Sequence, residues 1–179
     1  MAAYFQQFPK ILYDLKGDDN FKLVPDIFRR IKVRSKMKDN LSMLDKFDVD
    51  SGDSPESVAY KVYGNTDYFW VICLLNNIVN RFYDWPLDEY SFQKYVSEKY
   101  TNPDAIHHYE KPQSSGETES QAPGDYSHMI EVNSNAVGAQ AVSNAEYERR
   151  IQDEKRQIQI LQPQYLSAFV SEFRKLIRK

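Results

Sequence analysis

Apolar side chains are spaced differently in successive stretches of this chain, and the spacing predicts its elements. Over the first 25 residues Tyr4, Phe5, Phe8, Ile11, Leu12, Tyr13 and Leu15 recur at irregular intervals before a polar turn at Gly17–Asn20. Neither a helical period nor a two-residue alternation is sustained, so residues 1–25 read as an extended arm with anchor side chains. After Asp26, Ile27, Phe28, Arg29 and Arg30, the alternation Ile31-Lys32-Val33-Arg34 predicts a strand. A second alternation from Leu44 through Phe47 and Val49 predicts another.

Residues 44–86 read as the most ordered part. Ser54 followed by Pro55 is an N-cap with a first-turn proline, opening a helix with Val58, Ala59, Val62 and Tyr63 on one face. Gly64 stands where a left-handed C-cap glycine belongs, with Asn65 next to it. A second helix starts at Thr66 or Asp67, buries Phe69, Trp70, Ile72, Cys73 and Leu75, and ends near Asn76 and Asn77. Ile78-Val79 is then expected to return as a short strand, giving strand, helix, helix, strand. A turn at Tyr83–Leu87 leads to a helix capped by Asp88, with Phe92, Tyr95, Val96 and Tyr100 at helical spacing.

Ile106–Tyr109 and Ser127–Val132 look like paired strands around a polar, flexible tip from Lys111 to Gly124. Residues 133–142 carry no predicted element. Ser143 to Glu146 fits a capping box opening a charged helix to about Lys155. Arg156–Leu161 alternates like a strand. Pro163 starts a last helix whose apolar stripe is Leu166, Phe169, Val170, Phe173, Leu176 and Ile177. The fold class is α+β, with an arm and strand over 1–43, a compact module over 44–86, a helix plus hairpin over 87–142 and a helix–strand–helix over 143–179.

Composition narrows the function classes. With 25 aromatic residues in 179 the chain is too rich in anchors for a disordered protein, despite a mean hydropathy of −0.67. No stretch approaches the ~18 apolar residues of a membrane span. Net charge is −3 and the pI about 5.7, so no global field draws the chain to nucleic acid or an anionic membrane. The basic run Arg29, Arg30, Lys32, Arg34, Lys36 and Lys38 could be a nucleic-acid patch. A solvated strand face or a contact for an acidic partner fits the overall acidity better. The single cysteine, Cys73, precludes an internal disulfide and reads as a buried, inert thiol. The first ten residues have no secretory pattern, so folding in a reducing cytoplasm is expected.

Candidate chemistry is sparse. His107 and His108 face opposite sides of a predicted strand, and one could approach His128 across the hairpin. No cysteine or close carboxylate completes a metal shell, so polar hairpin surface is the favoured reading. Phosphate loops, nucleophile elbows and His-Glu-x-x-His patterns are absent. No catalytic residue, cofactor or metal is expected, and what remains is surface for binding.

The run Gly52-Asp53-Ser54, the helix ending Tyr63-Gly64-Asn65, and then Trp70 and Asn76 resemble the LysM module, a βααβ fold most of whose members bind N-acetylglucosamine chains. The usual ending after Asn76 is replaced by Asn77 to Pro86, which removes part of the sugar groove. A longer match combines Asp26-Ile27-Phe28-Arg29, Tyr63-Gly64-Asn65 with Trp70-Val71, and Tyr147 with Glu154 to Ile160 before a Phe-containing amphipathic helix. In that order it resembles the baseplate wedge family of T-even-type contractile phage tails (the gene fifty-three family), which carries a LysM-like domain. The resemblance implies a structural role without catalysis: clamping neighbouring wedges around the tail tube, in contact with other wedge and inner-ring proteins. It also implies residence in the virion after assembly in the host cytoplasm, with no nucleic acid or membrane partner. Phe5, Phe8, Asp26, Phe28, Arg29, Arg30, Phe169 and Phe173 are the expected interface residues. Gly52, Asp53, Tyr63, Gly64, Asn65, Trp70 and Asn76 are the expected structural motif. Glycan binding stays as the alternative function.

Overall fold

Helix α1, Pro55–Tyr63, begins as its sequence dictates. Ser54 Oγ accepts from the Ser57 amide at 3.1 Å, and Ser57 Oγ accepts from the Ser54 amide at 2.9 Å, a reciprocal cap that satisfies two otherwise unpaired donors. Gly64 ends the helix at φ +69, where a side chain would be strained. Asn65 then accepts from the Asp67 amide, and a short 3-10 turn over Thr66–Tyr68 feeds α2, Phe69–Leu75. The computed structural model describes residues 4–33, 42–113, 126 and 128–178, and the fold is α+β.

Two compact units divide the chain. Unit one joins residues 1–49, 53–84 and 158–179; unit two joins 50–52 and 85–157. In unit one the strand beside β3 (Leu44–Asp48) is β7 (Gln157–Leu161), drawn from more than a hundred residues later. This corrects the expected strand at Ile78-Val79. Asp84 Oδ2 accepts from the amides of Val79 and Asn80 at 2.9 and 2.8 Å, occupying the donors a ladder would need and starting the short helix α3, Arg81–Asp84. Tyr83–Leu87 is accordingly helix in its first two residues rather than turn.

Side chains of α1 and α2 fasten β7. Asn76 Oδ1 accepts from the Gln159 amide at 2.8 Å, and its Nδ2 donates to the Gln159 carbonyl at 2.7 Å. Tyr63 Oη donates to the Leu161 carbonyl at 3.0 Å. Burial, only partly offset by that bond, pushes the phenol up to about 12.

The terminal segments also differ from expectation. Residues 4–25 are not an extended arm: a 3-10 turn at Phe5–Gln7 precedes β1 (Lys10–Tyr13) and β2 (Lys22–Pro25), an antiparallel hairpin that pairs Ile11 with Val24 and Leu12 with Leu23. Four-residue strands are too short to display their period against the flanking aromatics. Asp14 organises the connecting loop by accepting from the amides of Lys16, Gly17 and Asp19. Residues 31–33 form no regular element, and Val33 is instead buried in the core of unit one; Arg34, Lys36 and Lys38 lie outside the described residues. The last helix, α6 (Leu166–Ile177), follows a 3-10 turn at Pro163–Tyr165 and lies against the core of unit one.

That core gathers Phe8, Val33, Leu44, Trp70, Val71, Leu75, Leu161, Val170, Phe173 and Ile177. Trp70 and Phe173 meet with ring centroids 4.5 Å apart, and Tyr4 lies 5.5 Å from Trp70. Aromatic contacts at these distances add about 0.5–1.5 kcal/mol to the burial of their area. Polar links hold the same pieces: Arg174 Nε donates to Gln7 Oε1 at 3.2 Å, and Arg29 Nη1 donates to the Ile177 carbonyl at 3.2 Å, next to the helix C-terminus that favours a cation.

Unit two contains α4 (Glu89–Lys99), capped by Asp88 as expected, and a sheet in which β4 (Ile106–Pro112) lies between β5 (Met129–Val132) and β6 (Gln140–Ser143). β6 was not expected; Gly138, at φ +81, and the preceding turn return the chain to β4. The hairpin tip lies outside the described residues except at its edges. Helix α5, Asn144–Arg156, starts at Ser143, whose hydroxyl accepts from the Glu146 amide, and runs directly into β7. Its buried carboxylate, Glu148, receives Lys99 at 2.6 Å and Tyr100 at 2.8 Å, while Arg150 reaches both oxygens of buried Glu110 at 2.9 Å.

Trp70 belongs to unit one and buried Trp85 to unit two, so Trp70→Phe and Trp85→Phe backgrounds report each unit separately. In the Trp70 reporter, Asn76→Ala is expected to lower stability by about 2 kcal/mol, since the Gln159 groups lose both partners. Urea unfolding followed by fluorescence measures it. Burial opposes ionisation of Glu148, but Lys99 and Tyr100 outweigh it and hold the carboxyl below its usual range. Its stabilisation is therefore complete above the ordinary carboxylate range and is lost as pH falls through the lowered value. The Trp85 reporter should show unit two weakening below about pH 4, and Glu148→Gln should reduce that slope.

Candidate docking surface

In unit one, the segment entering and leaving the β1–β2 hairpin forms one wall of a groove of about 680 Å³, and α1, α2 and the start of α3 form the other. Tyr4, Phe5, Phe8, Ile27 and Phe28 face it from the first wall; Pro55, Phe69, Trp70, Cys73, Leu74 and Val79 face it from the second. Its volume falls inside the ~300–1,000 Å³ range of ligand and anchor pockets. Phe28 is 83% exposed and Val79 72%, so bulky apolar groups stand in water at the groove mouth. Phe82 and Tyr83 on α3 are exposed as well.

The hairpin carries more of the same. Leu12 and Leu23 are exposed across from one another, and Leu15 and Phe21 are exposed in the loop. Paired residues share a face and successive residues alternate, so Leu12 with Leu23 occupies one face and Tyr13 occupies the other. Leu12, Leu15, Phe21 and Leu23 are thus bulky apolar groups standing in water on one hairpin.

Cations rim the groove. Arg29 is paired with Asp26 at 2.9 Å and Arg81 with Glu56 at 2.9 Å. Arg30 and Lys32 are exposed and form no ion pair among the described residues. Within the groove wall, burial pushes the Cys73 thiol up to about 11, and the charge of Glu56 adds to the rise. A thiol held protonated in this way is a poor nucleophile, in keeping with the inert role expected of it.

The expected interface residues divide. Phe5, Phe28 and Arg30 stand at the groove, exposed. Phe8 and Phe173 are not exposed: both are buried in this chain's own core, Phe8 while also lining the groove wall, because the hairpin base and α6 close over Trp70. Phe169 is half-buried, packed against that core and 6.3 Å from Trp70. Asp26 and Arg29 are spent on one another and on the Ile177 carbonyl.

Apart from Gly52, which falls in unit two, the motif residues work inside unit one. Asp53 accepts from Ser57 Oγ and from Lys61 Nζ, Gly52 turns the chain at φ +86, and Tyr63, Gly64, Asn65, Trp70 and Asn76 cap, bury or fasten as described above. Leu12, Leu15, Phe21, Leu23, Ile27, Val79 and Phe82 were not singled out as interface residues; the signal available for the hairpin members was the polar turn Gly17–Asn20 between two apolar runs.

His107 stacks on Tyr147 at 3.9 Å and its Nδ1 lies 2.9 Å from that of His108, whereas His128 Nδ1 is buried without a hydrogen-bond partner among the described residues. Among those residues no group of three or more His, Cys, Asp or Glu side chains is disposed to hold a metal ion, and no helix is long and apolar enough to cross a membrane.

A family model described as base plate wedge protein 53 matches residues 4–114, well over half of the 179. The chain belongs to that family. No curated protein matches it significantly. Membership in the wedge protein 53 family makes the chain a structural component of a phage baseplate, hence of the virion tail. The matched stretch spans both walls of the groove and the whole hairpin, and stops before β7 and α6, which complete the same unit of this wedge-family chain.

At pH 8 the native thiol of Cys73 should react with iodoacetamide roughly a hundredfold more slowly than in the unfolded chain, its thiolate being depleted by about two powers of ten. The rate should climb about tenfold per pH unit toward pH 10. A stopped alkylation series with mass readout measures both.

Proposed function

We propose that this wedge-family chain links neighbouring wedge subunits around the tail tube, docking through the exposed apolar surface of unit one, with assembly taking place in the host cytoplasm. The observation that carries the reading is the β1–β2 hairpin, a two-stranded sheet with exposed apolar side chains on both faces. A lone hairpin is marginally stable in water and gains from being covered. Each Leu or Phe moved from water into an interface contributes about 1.5–3 kcal/mol before the costs of association are counted. Its base, by contrast, is tied into unit one through Asp26, Arg29 and Gln7, so a covered hairpin transmits force to the core. Partners on this reading are other wedge and inner-ring proteins.

The glycan-binding alternative rests on the LysM-like run from Gly52 to Asn76. Asn76 and Tyr63 are consumed in fastening β7, which leaves them unavailable to a sugar. The linking role is therefore the better supported of the two.

Leu12→Ser with Leu23→Thr should leave the circular dichroism and unfolding midpoint of the isolated protein nearly unchanged, as both positions are exposed. Co-purification with co-expressed wedge subunits from the same phage should fall at least about tenfold. Undiminished assembly would sink the proposal, and saturable binding to purified peptidoglycan would favour the alternative.

A further inference from the structure

The groove beside the hairpin has a chemistry of its own. Its floor is apolar and includes Trp70 and Phe69, its mouth is flanked by exposed Phe28 and Val79, and its rim is cationic. Two of the four rim cations are neutralised within the chain, Arg29 by Asp26 and Arg81 by Glu56. Arg30 and Lys32 are left uncompensated among the described residues, on a chain whose net charge is −3. A local excess of positive charge on an acidic protein selects for an occupant of opposite sign.

We propose that this groove receives an extended segment of another baseplate protein, one that inserts a bulky apolar side chain past Phe28 against the Phe69–Trp70 floor and sets carboxylates against Arg30 and Lys32. The inference rests on the linking role only in taking its partner from the baseplate; the hairpin and the groove are separate surfaces. A nucleic acid would satisfy the two cations and could stack on Phe5 and Phe28, but would leave the aliphatic lining of Ile27, Leu74 and Val79 without an apolar partner. A neutral apolar segment would fill the floor and leave the cations unpaired. An apolar anchor with acidic neighbours satisfies both.

The experiment replaces Phe28, and in a second variant Leu23, with a photo-crosslinking benzophenone amino acid in the full chain co-expressed with the phage's other wedge proteins. After irradiation of the assembled complex the attached peptides are sequenced. From position 28 the expected product is a segment of another wedge protein that carries an aromatic or aliphatic residue within reach of Asp or Glu. Arg30→Glu combined with Lys32→Glu should cut that product roughly tenfold. Arg30→Lys with Lys32→Arg should preserve it.

Crosslinks from position 28 to a second copy of this chain, to nucleic acid or to a segment without carboxylates would overturn the proposal, as would a yield indifferent to the charge reversal. No crosslink from 28 alongside a strong one from 23 would remove the groove and leave the linking role standing. No crosslink from either position would remove both.

Discussion

The side-chain amide of Asn76 bonds to both the amide and the carbonyl of Gln159, 83 residues away, and so does for β7 what a neighbouring strand would do. The rest of unit one depends on that pair. β7 has β3 on one side, Tyr63 holds its last carbonyl, and the chain continues from it into α6. Helix α6 supplies Val170, Phe173 and Ile177 to the cluster around Trp70, and its terminal carbonyl receives Arg29 from the far end of the sequence. The α1–α2 pair is therefore the keystone to which both ends of the chain return.

Such an arrangement limits what can be read locally. Caps were legible because their chemistry is confined to four or five residues: Ser54-Pro55, Gly64, Asn65, Asp88 and Ser143 act as their types require. The order strand, helix, helix was legible for the same reason. The partner of β3 was not, because Ile78-Val79 has the right composition for a strand and only Asp84, through its two hydrogen bonds, withdraws those residues from one. The stripe of α6 announced burial correctly, but a stripe does not say against what. Phe8 and Phe173 could equally have served another chain until the Trp70 contacts assigned them to this one.

The candidate site was half legible on the same grounds. Phe5, Phe28 and Arg30 stand out in a sequence as aromatic and basic residues without a helical or strand period to absorb them. Leu12, Leu23 and Val79 do not, since aliphatic residues in short runs are ordinarily core. Their exposure follows from the pairing of only two strands, neither face of which is covered by the rest of unit one.

Unit two is held differently, and the contrast bears on what each part is for. Its helix and sheet are joined by buried charge: Arg150 with Glu110 and Glu146, and Lys99 and Tyr100 with Glu148. Desolvation consumes much of the attraction in such pairs, although at Glu148 the balance still favours the charged carboxylate. Unit two also exposes Tyr90, Ile106 and Val137. Unit one, closed by aromatic packing across its two ends, has the apolar surplus at its groove and hairpin. That surplus is composed of residues from the first half of the chain, while β7 and α6 close the core without lining the groove.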